Sequence, residues 1–214
     1  FKATRIVNSQ SIELARPKTL EFMIQHRFGS MENGLYDLFG MDGAFMRFDL
    51  KYGINRRISV GAGRSSLNKN YDVFSKIKVL NQTNVFPIAM ALFTKIEIET
   101  LKRENDISDK LVNRLTYDTQ LLIARKLSEN VSFQFMPTWI HHNLVKTFDD
   151  DHDLFSMGVG GRLKFTKQIS INADRFFPLG DRDTDFPSFM GLVKRQLLRD
   201  YQPEDLKIAG LNVF

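Results

Sequence analysis

The chain has 214 residues, of which 43% are hydrophobic, and a net charge of +5 from 30 basic and 25 acidic side chains. Its longest apolar run, Val85–Phe93, is far shorter than the ~20 residues of a transmembrane helix, and the lack of cysteine excludes disulfides and thiolate sites. Lys and Arg are scattered rather than clustered, which argues against nucleic-acid binding. The sequence opens on Phe1 rather than Met, as expected of a processed form whose targeting segment has been removed.

Apolar and polar side chains alternate along most of the chain, which is the period of a β-strand with two unlike faces. Residues 1–18 alternate only weakly, and the first clear strand is Leu20–Phe28. The strands predicted after it are Ala44–Tyr52, Arg57–Gly63, Tyr71–Val79, Phe86–Ile98, Arg114–Ala124, Val131–Trp139, Phe155–Phe165 and Ile169–Asp174. Beyond Phe177 the pattern weakens, with one doubtful strand at Ser188–Leu197 and a final one at Leu206–Phe214.

Short and long connections alternate between these strands. Tight turns follow Tyr52, Leu127 and Phe165, and long connections follow Phe28, Ile98, Asn143 and Phe177. Outer-membrane barrels have short periplasmic turns and long external loops, so the pattern predicts an all-β, antiparallel up-and-down transmembrane β-barrel of about 10–12 strands over residues 19–214. Residues 1–18 are then expected on the periplasmic side or within the lumen.

Alternation alone does not decide which face meets water, because a soluble barrel buries its apolar face and a membrane barrel exposes it to lipid. Three features favour the membrane. The strands are about 9–13 residues long, near the ~9–11 of a tilted spanning strand. Phe214 is an aromatic residue at the end of an alternating strand, which is typical of bacterial outer-membrane barrels.

The third feature is that the polar face carries charges of both signs, which can pair across strands inside a closed wall. We therefore expect a lumen lined, and largely filled, by the following charged residues: Glu21, Arg27, Arg47, Asp49, Lys51, Arg57, Lys95, Glu97, Asp118, Arg162, Lys164 and Asp174.

Five short motifs carry a resemblance to a known family, and the match runs from about Phe1 to Ala173. They are Gln25–Gly29, Val60–Ser66, Leu121–Lys126, His142–Val145 and Gly158–Arg162. In these motifs and their spacing the chain resembles an uncharacterised family of Bacteroidota outer-membrane β-barrel proteins, a domain of unknown function. The resemblance implies a barrel of about twelve strands in the outer membrane and no assigned activity. After Asp174 the chain departs from the three further regular strands that the family pattern implies.

Two glycine-rich stretches, Gly61–Arg64 and Gly158–Gly161, look like phosphate loops, but neither leads from a strand into a helix. We interpret their glycines as small inward residues that leave room for neighbouring Arg and Lys side chains. His141 and His142 are adjacent and therefore point to opposite faces of a strand, so they are poor joint ligands, and His26 falls on the lipid-facing register.

Two acidic loops are the remaining polar runs, and their alternate carboxylates suit calcium, which prefers six or more oxygen ligands. The weak candidates are Asp149, Asp151, Asp153, Asp181, Asp183 and Asp185. Because no glycine or distal glutamate completes an EF-hand, we expect solvated loops, no bound metal and no cofactor. The sequence shows no nucleophile–base pattern either, so no enzymatic activity is expected.

These observations predict a bacterial outer-membrane protein that serves as a structural or accessory subunit of a larger assembly. Expected partners are outer-membrane lipid, lipopolysaccharide and other outer-membrane or periplasmic proteins, and not nucleic acid. Two alternatives stay open: a narrow porin-like channel for small polar solutes, and a soluble ligand-binding β-barrel.

Overall fold

The computed structural model describes residues 1–27, 35–36, 38, 43, 45–101, 110–145, 151–166 and 169–179. Within these ranges the chain forms one antiparallel sheet of nine strands, arranged in the order of the sequence. The strands are β1 (Leu20–Arg27), β2 (Phe45–Gly53), β3 (Ile58–Ser65), β4 (Tyr71–Leu80), β5 (Ala89–Ile98), β6 (Leu115–Lys126), β7 (Val131–His142), β8 (Asp153–Lys164) and β9 (Ser170–Leu179). No helix in the described part of the chain is long and apolar enough to cross a membrane.

The all-β, up-and-down architecture predicted from alternation is confirmed, with shifts at several strand ends. β5 begins at Ala89 rather than Phe86, because Thr83 and Phe86 close a turn through two hydrogen bonds of 2.7 and 3.0 Å and Pro87 has no N–H for the ladder. β9 runs on to Leu179, past the predicted end at Asp174. The strands expected at 188–197 and 206–214 lie outside the described residues.

The three predicted tight turns connect β2 to β3, β6 to β7 and β8 to β9, and we call this end of the sheet the turn side. A side-chain oxygen of Asn55, Ser128 or Thr166 accepts backbone N–H bonds within each turn, as turn-favouring residues do. The opposite end is the loop side. The alternation of lengths is not strict, because residues 66–70 make a compact loop-side connection around a 3₁₀ turn and residues 81–88 a longer one on the turn side.

The sheet is strongly curved. Arg5 lies 2.9 Å from Asp49 of β2, and the amide of Val7 lies 3.3 Å from Asp174 of β9. In a flat sheet these strands would be about 33 Å apart, because seven spacings of ~4.8 Å separate them, whereas Arg5 and Val7 are at most about 7 Å apart along the chain. The ends of the sheet must therefore turn towards each other. Within the described residues β1 and β9 do not pair, so the sheet is open there.

Residues 1–15, which we call the inner segment, pack against one face of this curved sheet, the inner face. An apolar cluster lies on that face and includes residues of five strands and of the inner segment: Ile12, Phe74, Ala89, Ala91, Phe93, Leu122, Ala124, Met136 and Phe176. The opposite, outer face exposes large apolar side chains, with Phe22, Phe133 and Phe155 each about half accessible. Among the described residues, apolar side chains therefore occupy both faces, whereas the buried charged side chains lie on the inner one.

Candidate functional site on the inner face

The inner segment is a buried, turn-shaped peptide rather than a strand of the sheet. An antiparallel bridge joins Arg5 to Gln10, and Ser11 N donates to Thr4 O at 3.1 Å. Thr4, Ile6, Ser9, Gln10, Ser11, Ile12 and Ala15 are all buried. A segment with these polar backbone groups needs hydrogen-bond partners where water is excluded, and side chains of the sheet supply them.

Asp174 of β9 binds the turn of the inner segment. One of its carboxylate oxygens accepts the amides of Val7, Asn8 and Ser9 at 3.3, 3.0 and 2.8 Å, and the Ser9 hydroxyl at 2.5 Å. Successive N–H groups that converge in this way form an anion-binding concavity. A carboxylate from the sheet therefore holds the main chain of the turn, largely independently of the side chains in it.

Lys76 of β4 binds the opposite kind of backbone group. Its ammonium donates to the carbonyl oxygens of Thr4, Ser11 and Glu13 at 3.1, 2.8 and 2.9 Å. Lys51 of β2 adds a bond of 2.7 Å to the Thr4 hydroxyl. A buried ammonium needs all three donors used, so the position of Lys76 depends on the inner segment as much as the segment depends on Lys76.

Gln134 of β7 binds the inner segment through two hydrogen bonds, one accepted and one donated, as the backbone of a neighbouring strand would. Its amide oxygen accepts Ile12 N at 2.8 Å and its amide nitrogen donates to Gln10 O at 2.7 Å. Gln134 is fully buried, and this pair of bonds uses both ends of its amide. Contacts from β2, β4, β7 and β9 thus surround the inner segment.

A chain of ion pairs continues from the inner segment across the sheet. Arg5 pairs with Asp49 at 2.9 Å, and Arg47 bridges Asp49 at 2.8 Å and Asp72 at 2.7 Å. Burial lowers the pKa of Arg5, and the carboxylate of Asp49 opposes that shift. Because truncating one partner leaves the other charge buried, such networks are strongly coupled to the integrity of the fold.

A second group of charges lies beside the first, with Glu97 of β5 directly opposite Asp72 of β4 in the register of the sheet. Lys95 pairs with Glu97 at 2.7 Å and approaches Asp118 at 3.7 Å. Asn70 donates to the same Glu97 carboxylate. Both groups consist of opposite charges in contact, so the polar inner face is largely neutralised by its own side chains.

The structure distributes the residues expected to line a lumen in three ways. Arg47, Asp49, Lys51 and Asp118 are buried on the inner face, and Glu21, Lys95, Glu97, Arg162, Lys164 and Asp174 are half-buried. Arg57 instead is exposed, because it belongs to the tight turn immediately before β3, which begins at Ile58 rather than at the predicted Arg57. The side chain of Arg27 lies outside the described residues.

The sequence reading missed Arg5, and it did not single out Asp72, Lys76 and Gln134 as site residues. Asp72, Lys76 and Gln134 lie on the polar register of their strands, so alternation could have identified them. Arg5 lies where apolar and polar residues alternate only weakly, so no periodic pattern could have identified it. The glycines were interpreted as space for basic side chains, which fits Gly63 beside Arg47, but the space over Gly158 holds the ring of Phe176 and that over Gly160 holds Ile6.

The weak calcium candidates do not come together in the described residues. Asp149, Asp181, Asp183 and Asp185 lie outside them, and Asp151 is exposed. Asp153 accepts hydrogen bonds from Trp139 and His141, both at 2.8 Å. Within the described ranges no group of three or more His, Asp or Glu side chains is arranged to hold a metal ion.

The outer face carries aromatic residues near both ends of its strands. Tyr71, Trp139 and Phe155 lie towards the loop side, and Tyr52 and Phe133 towards the turn side, all at least 39% exposed. From Phe133 to Trp139 the strand rises about 20 Å at ~3.4 Å per residue. An apolar band bounded by aromatic girdles is the outer surface of a membrane β-barrel, whose inner face is polar.

The fold and the distribution of charge thus define a membrane β-barrel. Consistent with that class, the chain belongs to the family described as membrane bound beta barrel domain (DUF5777), whose model matches residues 1–191. A comparison with curated proteins finds no match to the chain.

Proposed function

We propose that this protein is a plugged β-barrel of the bacterial outer membrane that serves as a structural or accessory subunit of a larger assembly. The observation that carries the proposal is the burial of the inner segment against the inner face, where Asp174, Lys76 and Gln134 bind its main chain. An open pore needs a continuous polar path, and an inner segment bound in this way would block that path.

Apolar packing supports the same conclusion. Phe74 and Phe93 face each other on the inner face with ring centroids 5.8 Å apart, and Ile12 of the inner segment belongs to the same buried cluster. Porins instead enclose water between polar walls. An interior that combines an apolar cluster with paired charges suits a rigid, non-conducting barrel, and we assign it no catalytic step.

Planar-bilayer recording tests the plug. We expect no regular conductance steps from the native protein, and flickering openings when Lys76→Met and Asp174→Ala are combined, because both kinds of backbone anchor are then lost. The matched control combines Lys69→Met with Glu129→Ala, which removes the same charges from exposed positions and should stay silent. Regular steps from the native protein that disappear in Arg47→Ala would instead support the porin-like alternative.

The assembly role needs a second measurement. The protein purified from native membranes in mild detergent should migrate as a stoichiometric complex with other outer-membrane or periplasmic proteins, and crosslinks should map to exposed turn-side residues such as Arg56 and Arg57. Migration at the mass of one barrel in several mild detergents would contradict an accessory role while leaving the plug intact.

A further inference from the structure

Two histidines meet at the loop-side rim of the outer face, away from the inner segment. His141 is the penultimate residue of β7 and His152 immediately precedes β8, and their rings lie with centroids 5.9 Å apart and planes 27° apart. Both are accessible to solvent. Adjacent strand ends thus bring together two imidazoles that are eleven positions apart in the sequence.

The hydrogen bonds of each ring determine which nitrogen carries its proton. His152 Nδ1 lies 2.7 Å from the backbone carbonyl of His142, which can only accept, so Nδ1 is the donor. His141 Nδ1 lies 2.8 Å from the carboxylate of Asp153 and donates in the same way. In both neutral rings Nε2 therefore keeps its lone pair.

This is the arrangement of histidine ligands in metal sites, where the second ring nitrogen donates to a carboxylate or a backbone carbonyl and fixes the orientation of the ring. Asp153 is itself positioned by Trp139, whose indole N–H donates to it at 2.8 Å. Two imidazoles bound to one ion at ~2.0–2.1 Å and at a tetrahedral angle have ring centroids about 5 Å apart, so this pair, at 5.9 Å, lies within about 1 Å of that separation.

We propose that Nε2 of His141 and Nε2 of His152 form a binding site for a divalent transition-metal ion, with water completing the coordination shell. Imidazole nitrogen suits Zn²⁺, Ni²⁺ and Cu²⁺, whereas Ca²⁺ and Mg²⁺ prefer oxygen. Two protein ligands make this a site of moderate affinity that exchanges with the medium. Its position on the rim, beside Trp139 and Tyr117, places the ion at the level of lipid head groups.

The chain has one tryptophan, and its ring centroid lies 6.0 Å from that of His141, so the site contains its own reporter. Ni²⁺ added to the full chain in detergent, after removal of any histidine tag, should quench Trp139 fluorescence in a saturable manner, and Zn²⁺ should compete. His141→Ala and His152→Ala should each weaken binding at least about tenfold, and Asp153→Asn should weaken it about 10–100-fold as loss of an orienting partner.

Two controls use the remaining histidines. His26→Ala removes a distant exposed imidazole, and His142→Ala keeps the backbone carbonyl that orients His152, so both should bind Ni²⁺ like the native chain. Heat-dependent mobility on gels establishes that each variant folds. Electron paramagnetic resonance of the native chain with substoichiometric Cu²⁺ should show two equivalent nitrogens, which tests the site without a variant.

Three results would overturn the proposal: quenching that does not saturate, an unchanged midpoint in both His141→Ala and His152→Ala, or a Cu²⁺ spectrum without imidazole nitrogens.

Discussion

At the level of single residues, the sheet binds the inner segment mainly through its main chain. Asp174 accepts amides, Lys76 donates to carbonyls and Gln134 does both. Recognition of this kind tolerates side-chain changes in residues 7–9 but depends on each anchor. Substitutions of the anchor residues in the strands should therefore destabilise the bound inner segment more than substitutions within the segment itself.

Asp174→Ala tests this dependence. The substitution leaves three amides and a hydroxyl without their acceptor, and loss of hydrogen bonds to a charged group should lower the free energy of unfolding by about 1.5–3 kcal/mol. Urea titration in lipid vesicles measures that loss, and trypsin should then cut after Arg5, which the folded chain buries. Glu129→Ala in an exposed turn should change stability by no more than about 0.5 kcal/mol. Continued protection of Arg5 in Asp174→Ala would contradict the anchoring role.

At the level of elements, the junction between the inner segment and β1 is fixed against the end of β2. Lys18 N donates to Gly53 O at 2.6 Å and Gly53 N donates to Thr19 O at 3.1 Å, and a parallel bridge joins Pro17 to Gly53. The backbone of residues 15–16 passes directly over Gly53. A glycine is required there by close approach, since a Cβ would lie 2.7 Å from Ala15 O.

Gly53→Ala should therefore displace the inner segment. Because the added Cβ would meet main-chain atoms, only a movement of the chain can relieve the clash. We therefore expect the free energy of unfolding to fall by about 1–3 kcal/mol, as for overpacked sites. Gly161→Ala is the matched control, since its nearest neighbour is Ser132 O at 3.8 Å, and it should be neutral or slightly stabilising. Equal urea midpoints for the two variants would show that the junction is not tightly packed.

Alternation identified the strands well because one face of each strand is chemically unlike the other. It placed Arg47 and Asp49, which are buried at 8% and 0% exposure, on the polar face of β2. It could not locate the inner segment, since residues 1–15 have no strand period and their partners on the sheet are more than 40 positions away, such as Lys51 for Thr4. Arg57 fits the inward register but lies in a turn. Alternation could not show this, because it does not define the residue at which a strand begins.

At the level of the whole molecule, substitutions on the outer face distinguish a protein that contacts lipid from one that contacts water. Leu121 lies near the middle of β6 and Leu115 at its loop-side end, both on the outer register. In a bilayer an outward Arg costs about 2–4 kcal/mol at mid-depth and about 0–1 kcal/mol near the interface. Leu121→Arg should thus impair folding into vesicles far more than Leu115→Arg. Equal effects of the two substitutions would be inconsistent with contact between β6 and hydrocarbon.

The residues that hold the inner segment are far from it in the sequence, and this separation has a consequence for how the molecule folds. Val7 and Asp174 are 167 positions apart, so this contact cannot form until the ninth strand has been made and brought round. Contacts this remote in sequence slow folding, because loop-closure entropy is lost before they form. Residues 7–9, although synthesised first, therefore reach their final contacts only when the last of the nine strands is in place.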